Sequence, residues 1–528
     1  MAKAPQTLSA PTVVVKHRGL LTMALMLGTI MQVLDTTIAN VALPHMAASL
    51  GAAQSEITWV LTSYIVAAAI ATPLTGWMSD RIGQKRLFIL SVIGFTVASA
   101  LCGIATSLDE MVIFRILQGI CGAMIAPLAQ TVLLNINPKE RIGQAMAIYG
   151  MGIMVAPIIG PTLGGYLTET FDWRWVFLIN LPVGVLCVTM LLLYMPETAI
   201  KLRRFDFFGF GMIALGIGAL QLMLDRGADN DWFNSMETWI ELGLVIAGFW
   251  VFIVHSLTSK TPFIDLSIFK DRNFTMGSVF MFIVGLTLFS GLALLPPLLQ
   301  NLMGYPVIFS SVIMAPRGVA TMAAMVIVGR ITGKVDGRLM MLFGIALMTY
   351  SLYLMTGFNL QMDFWPVIIT GVIQGFGMGF IFVPLSTLAF ATIAPSFRAD
   401  GTSMFSLVRN MGQGVGISMV TAVLSNMLAV NHAEVGERLT ATAPQVAIQF
   451  PQLLTGNPQM TALIDLLVQQ QAAMLGYLDD FVLMMWLSVL AIPIILLLRG
   501  NKPKAAAAGA RPKTAEEKAL ERAHAMAE

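Results

Sequence analysis

From Leu20 onward the chain alternates long apolar runs with short polar connections, and the runs have the length of a bilayer crossing. About fourteen stretches of roughly 18–25 residues qualify. They lie near 20–43, 57–78, 87–106, 111–134, 143–168, 173–195, 207–226, 239–257, 274–297, 306–332, 338–358, 364–393, 402–430 and 478–498. An even number of crossings puts both chain ends on one side. The connections alternate in sign. Every second one is basic: Arg81/Lys85/Arg86, Lys139/Arg141, Lys201/Arg203/Arg204, Lys260/Lys270/Arg272, Arg330/Lys334/Arg338 and Arg398. Those between hold Asp109/Glu110, Glu169/Asp172 and Asp225/Asp229/Asp231. Basic loops stay on the cytoplasmic side, so both termini are expected there.

Composition agrees with the pattern. The 528 residues are 57% hydrophobic and 11% charged, with a mean hydropathy of +0.78, whereas soluble domains carry about 25% charged residues. This is the composition of an integral membrane protein. A net charge of +2, with no dense basic cluster outside the C-terminal tail, gives no reason to expect a nucleic-acid partner. Cys102, Cys121 and Cys187 fall inside apolar runs without metal-ligand or CxxC spacing, so buried thiols are expected. Lys16, His17 and Arg18 precede the first run with no small-residue cleavage site, which predicts a retained span in place of a signal peptide.

The chain also repeats itself. GWMSDRIGQKR from Gly76 aligns with GRITGKVDGRL from Gly329, with basic residues at matching offsets (Arg81 and Lys334, Lys85 and Arg338). QGICGAMIAPL from Gln118 resembles QGFGMGFIFVPL from Gln374. Parallel halves are implied, with spans seven and eight inserted between them and a cavity at their interface. The expected division is 1–19 N-terminal tail, 20–200 first six-helix bundle, 201–260 two inserted spans, 261–499 second six-helix bundle, and 500–528 tail. Residues 431–477 are expected as an external loop, long enough for a partner contact or a short helix over the mouth, or else a solvated linker. In the tail, Thr514 and Glu517 could form a capping box starting a short helix.

LDTTIANVALP in the first span, GWMSDRIGQKR, RILQG, GMGIMVAPIIGPTLGG and WRWVFLINLP resemble, in order and spacing, the motifs of the major facilitator superfamily. More narrowly they resemble its fourteen-span drug:proton antiporters of the EmrB/QacA type, closest to the EmrB branch. The resemblance runs from about residue 20 to about 430. It implies an all-α membrane protein with a major facilitator fold: two six-helix bundles plus two inserted spans. It further implies proton-coupled efflux of lipophilic toxic compounds by alternating access across the inner membrane, without a cofactor. A membrane-fusion adaptor and an outer-membrane channel would be partners in a Gram-negative host.

Asp35 is an acid inside the first span, where an ionised carboxylate costs roughly 2.5–3.5 kcal/mol. It is either satisfied by neighbouring hydroxyls or backbone and serves packing alone, or it faces the cavity and exchanges a proton. Arg115, near the start of the fourth span, either snorkels to the external interface or, as the resemblance implies, belongs to the proton relay. Whether the two meet is not legible in the sequence. Gly76, Asp80, Arg81, Gly83, Lys85 and Arg86 form a tight turn whose basic residues fix topology; by resemblance it is a gating latch, with Asp80 accepting from a facing helix N-terminus. In the second copy Gly333 and Asp336 depart from the pattern, which suggests a structural role there. Gly150, Gly152, Pro157, Gly160, Pro161, Gly164 and Gly165 in the fifth span allow close helix packing; by resemblance they mark antiporters.

Residues expected at the cargo cavity are Gln32, Asn40, Trp59, Tyr64, Gln118, Gln374, Arg317 and Arg409. The two arginines, unless they sit at the cytoplasmic rim, favour neutral or weakly acidic lipophilic cargo over multivalent cations. No GxxxxGK[ST] segment is present, so a proton gradient and not ATP is the expected driving force. Export of an endogenous lipid, siderophore or metabolite by the same cycle is the alternative. A proton-translocating subunit of a membrane complex would need lysines mid-span, and here they fall in loops and tails. A membrane enzyme or sensor would need a metal cluster or output domain, and five scattered histidines supply neither.

Overall fold

The computed structural model describes residues 13–228, 230–438 and 458–500. The expected helix at Thr514–Glu517 and most of the two tails lie outside the described residues. Among the described residues, thirteen helices are long and apolar enough to cross a bilayer, and a bent pair makes a fourteenth. They are α1 (Arg18–Leu50), α2 (Trp59–Ala71 and Leu74–Ile82), α3 (Gln84–Ile104), α4 (Leu108–Ile136), α5 (Lys139–Thr170), α6 (Trp175–Tyr194) and α7 (Phe207–Arg226). The rest are α8 (Met236–Thr258), α9 (Arg272–Leu302), α10 (Val307–Ile331), α11 (Gly337–Met355), α12 (Trp365–Ala389), α13 (Pro395–Glu437) and α14 (Thr461–Leu497). The two parts of α2 meet at 59° across Pro73, which has no N–H to continue the ladder.

These helices present apolar side chains outward as well as inward. Along α3, Leu90, Ile93, Val97 and Ile104 recur at helical spacing on an exposed face. On α8, Trp250, Ile253 and Leu257 do the same. An apolar exterior around an apolar interior is stable only in lipid, so the chain is a multi-pass membrane protein.

α1 packs on α5 and α6, α2 on α4, and α3 on α4 and α6; among the later helices, α9 packs on α13, α10 on α12, α11 on α12, and α13 on α14. The hairpin of α7 and α8 lies at the side, with α7 against α2 and α13. Its basic end is clamped by Asp206, which accepts from Gly209 N at 2.9 Å, from Phe263 N at 3.0 Å, and pairs with His255 Nε2 at 2.9 Å. Thr62 of α2 donates to Asp225, holding the other end. The early and late helices meet along a seam near the basic loops, where α5 runs beside α10 and α13 touches α2 and α4.

The expected external loop at 431–477 is mostly helical. One helix continues to Arg438 and the next starts at Pro458, so only 439–457 lies outside the described residues. The apolar-run criterion stops where lipid contact stops, but Glu, Gln, Ala and Leu propagate a helix as well in water. The two extensions touch through His432 Nε2 and Asp465 Oδ1 at 3.0 Å.

Candidate functional site

α4 starts cleanly because Ser107 accepts from Glu110 N, and Asp109 and Glu110 sit in the first turn where the helix dipole favours acids. That start places Arg115 and Gln118 three residues apart on one face. Both side chains point inward and meet Asp35, which lies seventeen residues into α1, about 25 Å from its start. Arg115 Nη1 donates to Asp35 Oδ2 at 2.5 Å, and both side chains are fully buried. Gln118 Nε2 donates to Asp35 Oδ1 at 2.8 Å and Asn180 Nδ2 to the same oxygen at 3.0 Å. Arg115 is held further by Gln118 Oε1 at 2.7 Å and by the Val60 carbonyl at 2.9 Å, and its guanidinium lies 4.2 Å from the Tyr64 ring centroid. Ser99 Oγ accepts from Asn180 Nδ2 at 2.9 Å and donates to Phe177 O.

Arg115 and Asp35 therefore meet, and Arg115 does not snorkel. The expectation that Asp35 faces an open cavity is not met: its carboxylate points into the first helix set, among α2, α3, α4 and α6. An ionised group at this depth is best stabilised where donors converge, and three of them converge there. Asn180 and Ser99 were missed in the sequence; Asn180 stands inside the WRWVFLINLP segment, a polar residue in an apolar run. Gln32, one turn before Asp35, and Tyr64 flank the cluster, with the Tyr64 hydroxyl beside the Gln32 side chain.

At the basic face, Gly83 turns the chain with φ +87°, as Gly333 does in the second copy with φ +88°. Gly76 is pressed onto α13: a Cβ there would collide with Asp400. Asp80 does not accept from a helix N-terminus as expected, because α13 brings its own carboxylate, Asp400. Arg203 bridges the two acids instead, with Nη1 3.4 Å from Asp80 Oδ2 and 3.0 Å from Asp400 Oδ2. Burial alone would lower the Arg203 pKa, but Asp400 and Asp80 more than offset it and hold it above the usual value. Arg203 Nη2 also donates to Phe263 O at 3.0 Å. Lys85 donates to Leu192 O, while Arg81 and Arg86 are exposed. Asp336 caps α11 by accepting from Arg338 N at 3.0 Å. Further along the seam Arg398 donates to Leu134 O at 2.9 Å and Thr131 meets Thr402 at 2.6 Å.

Despite Pro157 and Pro161, Ile142–Thr170 is one helix. Its glycines divide by face. Gly150 abuts Met325 and Phe382 across the seam, Gly152 abuts Met26, and Gly160 and Gly164 abut Thr37 and Ile38 of α1. A Cβ at Gly165 would find no atom of the described residues within 4 Å.

The expected cargo residues stand at several places in the fold. Asn40 is exposed, and Trp59 stands at a rim, 5.6 Å from Arg226. Arg409 of α13 lies beside Tyr149 of α5, across the seam. Arg317 and Gln374 are buried together between α10 and α12, and neither is at the cytoplasmic rim. Asp480 was also missed. It is fully buried on α14, and its oxygens have no hydrogen-bond partner among the described residues.

A family model described as Major Facilitator Superfamily matches residues 25–417. The chain is 38% identical over 441 residues to the multidrug export protein EmrB of Escherichia coli K12, covering 82% of this chain and 85% of that one. It is 37% identical over 484 residues to the fatty acid resistance protein FarB of Neisseria gonorrhoeae, covering 90% and 95%. Among solved structures, the proton:xylose symporter XylE superposes with a TM-score of 0.58 at 14% identity, covering 90% of this chain and 94% of that one. The human organic anion transporter MFSD10 gives 0.57 at 14% identity, covering 89% and 99%. These last two likenesses speak to the fold alone.

Proposed function

The chain belongs to the major facilitator superfamily, and from that premise we propose that it is a proton-driven exporter of lipophilic toxic compounds working by alternating access. The observation that carries this reading is the buried cluster of Asp35, Arg115, Gln118 and Asn180 at mid-depth. An ionised Asp35 ties α1 to α4 through a charge-assisted bond. A proton arriving there removes the charge that holds Arg115, and the tie loosens. The two states of one carboxyl thus correspond to two packings of the first helix set. Gln32 and Tyr64 stand beside the cluster and are the polar groups through which a proton would reach it.

The basic loops mark the cytoplasmic side of the inner membrane, where both termini lie. The seam closed there by Arg203, Asp80 and Asp400 then corresponds to a cavity turned outward, ready to release cargo and take up a proton. A proton entering down 100 mV contributes roughly 2.3 kcal/mol to each turnover. No cofactor enters this cycle. The helical extensions at 431–438 and 458–477, opposite the basic face, are the surface offered to an adaptor leading to an outer-membrane channel.

The name of the relative FarB supports a second reading, in which the cargo is a fatty acid or another endogenous amphiphile moved by the same cycle. Both readings are tested with protein in liposomes, following a lipophilic dye under an imposed pH gradient. Asp35→Asn is expected to lose gradient-driven efflux by at least about tenfold while retaining passive exchange. Full gradient-driven efflux by the variant, at matched protein level, would move the coupling role elsewhere.

A further inference from the structure

We infer that the second helix set holds a binding site for the carboxylate of an amphipathic anion, formed by Arg317, Gln374 and the gap at Gly291. The inference rests on the export reading and names a class of cargo for it. Gln118 and Gln374 head two copies of one segment, 256 positions apart, a step that carries Arg115 to Gly371, and in space Gly291 of α9 stands beside Gln374 as Asp35 of α1 stands beside Gln118. Both partners of the ion pair in the first set are therefore glycines in the second. A Cβ at Gly291 would stand 4.0 Å from Gln374 Nε2, as Asp35 stands beside Gln118, and 3.6 and 3.7 Å from Arg317 Nη1 and Nη2.

The guanidinium absent at 371 is supplied by α10, with Arg317 packed on Gly371 and Gly375. The second set thus keeps the guanidinium and the amide and lacks the acid. Arg317 is 6% exposed and Gln374 1%. Among the described residues, neither Nη of Arg317 and neither polar atom of the Gln374 amide has a hydrogen-bond partner. A cation buried at this depth is costly unless something pairs with it, and orphaned buried polar groups converging on one point mark the place of a missing partner.

The chemistry of the donors selects that partner. Two Nη groups of a planar fork match the two oxygens of a carboxylate, and the amide N–H₂ adds a third donor, repeating the arrangement around Asp35. α9 and α10 also carry buried aliphatic residues, Leu288, Leu294, Leu295 and Ile313, from which an apolar body behind the carboxylate would take its contacts. Gly318, next to Arg317, packs on Ile158 of α5. The site is therefore one residue from the seam, where relative motion of the two helix sets gives access.

The test is binding of radiolabelled dodecanoate to the full-length protein in nanodiscs, with methyl dodecanoate and chloride as comparison ligands. Arg317→Gln is expected to weaken dodecanoate roughly tenfold or more while leaving the methyl ester unchanged. Gly291→Asp, whose Cβ would stand in ordinary contact with the guanidinium and bring a carboxylate to it, is expected to abolish dodecanoate binding and raise the unfolding temperature. Equal dodecanoate affinity in the parent and both variants overturns the inference. So does displacement of dodecanoate by equimolar chloride, which would make this a site for small inorganic anions. Gradient-driven efflux of a neutral dye, measured on the same proteins, separates the two levels. If the parent exports the dye and dodecanoate binding ignores Arg317, only the site fails; if the parent exports nothing down the gradient, the export reading fails.

Discussion

Truncating Arg115 alone would strand the Asp35 carboxylate with two neutral donors, Gln118 and Asn180, and no cation. Breaking one side of a buried pair costs about 3–5 kcal/mol, because the remaining charge stays out of water. Arg115→Gln is therefore expected to lower the unfolding temperature in detergent sharply. Combining it with Asp35→Asn should restore most of the loss, since an amide pair carries no stranded charge. A double variant as unstable as the sum of the single ones would show that the two groups are not coupled.

In α5 the same residue type does different work on different faces of one helix. An alanine at Gly160 would drive its Cβ into Thr37 of α1, with Thr37 Cβ only 2.8 Å away, whereas at Gly165 it would meet nothing. Gly160→Ala should cost about 1–3 kcal/mol through overpacking. Gly165→Ala should stay within about 0.5 kcal/mol of the parent, because no contact is disturbed. Thermal unfolding of the two variants side by side checks this; equal effects would mean that α1 does not approach α5 as closely as the Thr37 contact requires. A glycine-rich motif is legible in the sequence as a unit, but which glycines touch a neighbour depends on how the helix is rotated.

The two helix sets are held together at the basic face by a few polar contacts, and Arg203 is at their centre. It is a loop residue that charge counting assigns to topology, yet it binds acids from α2 and α13 at once. Its side chain is 28% exposed, so the contribution is modest, about 1 kcal/mol, or roughly a fivefold shift between closed and open seams. Spin labels at Arg141→Cys and Lys334→Cys, in a background without Cys102, Cys121 and Cys187, would report it. Arg203→Ala should enlarge the long-distance population. An unchanged distance distribution would mean that packing at Gly143 and Thr332, and not the ion bridge, holds the seam.

The alternation of apolar runs and signed loops determined the crossings and the basic face, because lipid imposes a length on each helix and loop charge is read one loop at a time. The repeated glycines and glutamines likewise exposed the two-fold plan. Asp35 and Arg115 stood out as ions in apolar runs, so their cost was visible before their contact was. Only the tertiary structure decided what offsets that cost. Asn180 is 145 residues from Asp35 in the chain, Arg203 is 197 from Asp400, and Arg317 stands where no sequence spacing predicts it. Whether a buried charge is paired is a matter of three-dimensional convergence, and neither hydropathy nor local spacing carries that information.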